Sequence, residues 1–156
     1  APIVSRITLA LAAAGITAAT LIGMLLGLGR RYSTLWRPLN AAAHTVLGMR
    51  ADDVWGLQLD VTLTGVAVVL VMSAMAGVVI VELTSSGRTL QRVIVAFGMA
   101  LAGYLVHVHI VARTPGGLAA LLTIGELRAL YAAVGMALVA GMRYAFPPFA
   151  GTPREY

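Results

Sequence analysis

An all-α integral membrane bundle of four transmembrane helices, with a short interfacial amphipathic helix between spans one and two, is the fold this sequence predicts. Three observations lead there. The 156-residue chain is 60% hydrophobic and only 11% charged, against roughly 25% charged residues in soluble domains, and its mean hydropathy is +0.91. Its apolar residues gather in four runs, each close to the ~20 residues that cross a bilayer. The runs lack the alternation of a membrane barrel strand, and within one span only a helix satisfies every backbone N–H and C=O. Four spans nearly exhaust the chain, so one membrane domain over residues 1–156 is expected, in a multi-pass protein.

Span one is expected over residues 7–29. Its opening, APIVSRITLALAAAG, could be taken for a secretory leader, but the apolar run continues to Gly29, too long for a cleaved apolar region, so a retained helix is expected. In the connection that follows, Pro38 suits the first turn of a helix, and Leu39, Ala42, Ala43, Val46 and Leu47 recur at helical spacing between Trp36 and Trp55. This pattern predicts the interfacial helix, over residues 38–48. Asp52 or Asp53 is expected to cap span two, at 59–83. The connection ELTSSGRTLQR is short, which makes spans two and three (93–112) antiparallel neighbours, with Ser85 or Ser86 as the cap. RTPGGLAALLTIGE should fold back onto the surface. Thr123 followed by Glu126 reads as a capping box that opens span four, at 127–146. Pro147 and Pro148 end it.

All eleven basic residues are arginine, which together with abundant Ala and Gly suggests a bacterial chain, expected in the inner (cytoplasmic or intracytoplasmic) membrane. The net charge of +5 does not indicate nucleic acid, because the arginines stand singly or in pairs around the spans and form no basic patch. Lipid phosphates and partner carboxylates are their expected contacts. Arg6, Arg88, Arg92, Arg143 and Arg154 fall on one side, and Arg30, Arg31, Arg37, Arg50, Arg113 and Arg128 on the other. This near-balance gives the positive-inside rule no orientation to choose. The absence of cysteine excludes disulfides, thiolate metal sites and cysteine nucleophiles.

Three spans carry stripes of small residues that let backbones approach closely. They are Gly15, Ala19, Gly23 and Gly27 in span one; Ala96, Ala100 and Gly103 in span three; and Ala133, Ala137 and Gly141 in span four. Packing within the bundle is the first expectation for each stripe, and docking against a partner subunit is the second.

The polar residues that lean into the spans collect at one end: His44, Asp60, His107, His109, Arg113, Glu126 and Arg128. An ionisable group within a span is a functional candidate by default. Asp60 with His107 could pass a proton, as in a small transporter or proton-conducting oligomer. His44, His107 or His109 could hold a haem or chlorophyll-type pigment. His107 and His109 lie about 200° apart on a helix of 3.6 residues per turn, so they do not share one metal. The ordinary alternative is hydrogen bonding to neighbours, headgroups or water. No metal site is expected. TPGGLAALL lacks the lysine and spacing of a phosphate-binding loop, and Ser33, Ser73, Ser85 and Ser86 have no evident base, so no catalytic residue is assigned.

The segments RPLNAAAHTVLG, TLTG at 62–65 with Ser73 and Glu82 following, and TPGGLAALLTIGELRALYAAVGMALVAG resemble small bacterial four-helix membrane proteins, some of which carry the label sodium:proline symporter. The resemblance spans residues 12–141 and implies the same four-helix architecture. In those proteins the second helix carries a histidine pair; here the matching positions are Val68 and Val69, so any role of that pair is absent. A symporter of the broken-helix type also needs more spans and an inverted repeat. The expected function is a non-catalytic accessory or structural subunit of a bacterial membrane complex, photosynthetic or respiratory. It would pack between larger integral subunits, with lipid and a pigment as its expected non-protein contacts.

Overall fold

The computed structural model describes residues 3–84 and 88–144, and every regular element among them is helical. In chain order these are α1 (Ile3–Gly29), three short helices α2 (Arg37–Ala42), α3 (His44–Leu47) and α4 (Met49–Asp52), α5 (Leu59–Thr84), α6 (Thr89–His109), a 3-10 turn at Val111–Arg113, α7 (Gly117–Leu121) and α8 (Ile124–Tyr144). α1, α5, α6 with its 3-10 extension, and α8 are long and apolar enough to cross a membrane. Ser85, Ser86 and the tail with Pro147, Pro148 and Arg154 lie outside the described residues.

α1 is the organising helix. It packs most extensively against α5 and α8, whereas α6 lies chiefly against α8 and touches α5 lightly. The short link between spans two and three therefore does not make them the closest neighbours. One cluster of buried side chains joins Leu9 and Ala13 of α1 to Ile80 and Val81 of α5, Ala96 of α6, and Leu138 and Met142 of α8. A second joins Ala18 and Leu25 to Leu39, Val69, Leu127 and Leu130. Close approach depends on two glycines that press on the same stretch of α1. A Cβ on Gly77 would stand 2.5 Å from the Ala10 carbonyl oxygen, and one on Gly141 would stand 2.5 Å from Ala13 Cα. Arg6 and Glu82, 3.7 Å apart, tie α1 to the far end of α5.

The expected interfacial helix is corrected in two ways. It is broken into three short pieces, with Gly48 at φ 60 between α3 and α4, a backbone angle that interrupts a right-handed helix. α2 is also sunk into the bundle rather than laid on it: Pro38, Leu39, Asn40, Ala41 and Ala42 are all buried. Gly65 of α5 sits directly against the Leu39 carbonyl, where any side chain would collide. Val46, predicted on the apolar face, is 66% exposed. α6 starts at Thr89 rather than Val93, because its first turn is built from Thr89, Leu90, Gln91 and Arg92 after an extended Arg88. The apolar run begins inside the helix, which starts one turn before it.

Candidate functional site

The polar groups at the end of the bundle that carries α2–α4 and α7 form separate clusters, each tying two or more elements. Asn40 is fully buried on α2. Its side-chain N–H groups donate to the Val54 carbonyl at 3.1 Å and the Gly56 carbonyl at 2.8 Å, while its Oδ1 accepts from Thr62 Oγ1 at 2.7 Å. Thr62 Oγ1 in turn accepts from the Gln58 N–H at 3.3 Å. The start of α5 is thus held by Asn40 and Thr62, and the expected caps Asp52 and Asp53 do not hold it.

Asp52 instead bridges α4 to α7. Its Oδ2 accepts from His44 Nδ1 at 2.7 Å and its Oδ1 from the Gly117 N–H at 2.8 Å. Gly116 and Gly117 have φ 102 and 71, left-handed angles that glycine adopts without steric cost. A side chain on Gly116 would collide with Asp52 and His44. Arg37 lies close by, its guanidinium 3.7 Å above the Trp55 ring. A cleft of about 130 Å³ is lined by Arg37, Ala41, Ala51, Asp52, Gly116 and Gly117, among others.

Glu126 is 9% exposed and forms the predicted capping box. Its Oε2 accepts from the Thr123 N–H at 3.0 Å, and its own N–H donates to Thr123 Oγ1 at 3.2 Å. The carboxylate also accepts from the Tyr32 hydroxyl and pairs with Arg31 at 2.6 Å, so the end of α1 and the start of α8 are tied by one residue. Burial and the bond to Glu126 push the Tyr32 phenol above its ordinary value.

His107 hydrogen-bonds with the Tyr131 hydroxyl at 2.8 Å and meets that ring edge-on. Tyr131 rests against Gly103, where a Cβ would stand 3.0 Å from the ring, and it packs edge-on to Tyr104. Arg128 Nε donates to the Tyr104 hydroxyl at 3.1 Å. Asp60 is exposed and paired with Arg50. The structure thus gives Asp60 and His107 different partners, and it does the same for His44 and His107. His109 and Arg113 are exposed. Among the described residues no group of three or more His, Cys, Asp or Glu could hold a metal.

The three small-residue stripes divide. Ala96 and Ala100 of α6, and Ala133, Ala137 and Gly141 of α8, are buried inside the bundle, while Gly103 is half-buried beneath Tyr131. Gly15, Ala19, Gly23 and Gly27 are all exposed, and a Cβ on Gly15, Gly23 or Gly27 would meet nothing within 4 Å among the described residues. Among the described residues, none packs against Gly15, Gly23 or Gly27 of that stripe. Asn40 and Tyr131 were not singled out in the sequence. The available signal was one polar residue, Asn40, inside an otherwise apolar helical face.

Comparison with known proteins gives no match: neither a family model nor a curated protein nor a solved structure is similar to this chain.

Proposed function

We propose that this chain inserts in a bacterial inner membrane as an accessory, structural subunit and docks against a larger integral subunit through the outward face of α1. The observation that carries this reading is the exposed stripe Gly15, Ala19, Gly23 and Gly27, whose three glycines have no other described residue against them. Over twelve residues it presents a smooth strip of about 18 Å. Lipid tails are as apolar as leucine, so helices associate in a bilayer through close van der Waals packing, and small residues provide it. The polar clusters support the same reading from the other side. Asp60, Asp52, His44, His107 and Glu126 are each engaged with a neighbouring side chain or backbone group, so they serve as ties between helices. A pull-down from native membranes in mild detergent tests the proposal. Larger integral subunits should come with the chain, and a chain recovered alone and monodisperse would contradict it.

One observation favours a second reading, in which the chain contacts a haem or a chlorophyll-type pigment. His44 gives Nδ1 to Asp52, the arrangement that orients a histidine whose other nitrogen binds a metal. An absorbance spectrum on the pull-down sample decides this and shows whether the assembly is a photosynthetic or respiratory one. Colour lost in His44→Leu but kept in His109→Leu supports pigment ligation by His44, and colour indifferent to both excludes it.

A further inference from the structure

At the end of the bundle away from the polar clusters, α6 and α8 border an open groove of about 340 Å³, lined by Val93, Phe97, Met136, Val139, Ala140 and Arg143. Five of these side chains are apolar and one carries a permanent charge. We propose that this groove binds an anionic phospholipid, with one acyl chain lying between α6 and α8 and the phosphate held by Arg143.

Depth is the first support. From Arg143 to Met136 the groove runs seven residues along α8, about 10 Å at 1.5 Å per residue. That is most of one leaflet of a ~30 Å hydrocarbon core. Its inner end is marked by Phe97, whose ring lies against Gly135, where a Cβ would stand 2.8 Å away. Phe97 and Met136 are 41% and 60% exposed, so the groove opens outward along its length to where a chain would lie.

Charge is the second. Arg143 is exposed at the outer end of the groove and has no carboxylate within ion-pair distance among the described residues. The same end of the bundle carries Arg6, Arg88 and Arg92 against a single described acid, Glu82, which is taken by Arg6. A basic group at the headgroup end of an apolar slot between helices is the chemistry that selects an anionic lipid over a zwitterionic one. The groove lies on α6 and α8 and owes nothing to the α1 stripe, but it does rest on the membrane insertion proposed above.

The test is native mass spectrometry of the purified full chain in detergent, with phosphatidylglycerol and phosphatidylcholine of matched chains added in equal amounts. The wild type should retain phosphatidylglycerol about five-fold in preference, the effect of one arginine near an anionic surface. Arg143→Gln should abolish the preference, and Arg143→Lys and Arg30→Gln should keep it. Ala140→Leu, which fills the slot, should lower retention of both lipids. Circular dichroism confirms that each variant folds. A preference that survives Arg143→Gln, or wild-type lipid retention in a folded Ala140→Leu, overturns the proposal. So does a native-membrane crosslink from position 139 to a partner helix in place of lipid. Loss of the chain from membranes on alkaline washing would overturn the membrane reading itself, whereas a chain that stays in the membrane without lipid preference fails on the groove alone.

Discussion

Two faces of α1 are built from the same kind of residue and do opposite things. Ala10, Ala13 and Ala14 meet Gly77 of α5 and Gly141 of α8 so closely that no added carbon fits between them. Gly15, Ala19, Gly23 and Gly27 repeat just as regularly, yet they face outward. Small size grants the capacity for close approach on both faces, but only the azimuth of the neighbouring helices decides which face uses it. On the outward face that capacity is unused among the described residues.

The largest effect that sharpens this contrast is steric. Gly141→Leu and Gly77→Leu should each destabilise the isolated protein by about 1–3 kcal/mol or more, since an overpacked core shifts its backbone. Gly15→Leu and Gly23→Leu should stay within about 0.5 kcal/mol of wild type, as surface changes do. Thermal unfolding in detergent measures both pairs, and equal losses would break the comparison. Next comes Asn40→Leu, which leaves the Val54 and Gly56 carbonyls and the Thr62 hydroxyl without their partner. A cost of about 1–3 kcal/mol is expected, and faster proteolysis between α4 and α5 should report it.

Tyr32→Phe should be milder, about 0.5–1.5 kcal/mol for one hydrogen bond, and it carries a pH signature. The folded phenol titrates above its unfolded value of ~10. The stability this adds is fully present below pH ~10 and is lost as pH rises through the folded value. Wild type should therefore lose more stability than Tyr32→Phe above pH 10, and parallel pH profiles would contradict the bond. The smallest effect belongs to Asp60→Asn. Its pair with Arg50 is exposed on both sides, so little or no change in thermal unfolding is expected. Ion flux into liposomes that is present in wild type and abolished in Asp60→Asn would instead favour proton conduction and count against the accessory reading.

The four long helices were legible because length and apolarity are properties of the chain itself. The capping box of Thr123 and Glu126 was legible for a similar reason: its two partners lie three residues apart. What the sequence left open was azimuth and long-range pairing. Asp60 and His107 share one end of the bundle in the sequence, but a shared end says nothing about which way each side chain turns. Arg50 takes the first and Tyr131 the second. Glu126 illustrates the same boundary within one residue. Its cap was predicted, while its bonds to Tyr32 and Arg31 join segments about ninety residues apart and needed the folded chain. Asn40 was missed because a helix read by its apolar spacing invites an interfacial placement, and burial of α2 against α5 became visible only with Gly65 beneath the Leu39 carbonyl.

The most direct measurement is a paired pull-down from native membranes with wild type and Gly23→Leu, alongside unfolding curves for both. An outward docking face predicts that Gly23→Leu unfolds like wild type and loses the partner subunits. Partners retained by a normally folded Gly23→Leu would contradict the account.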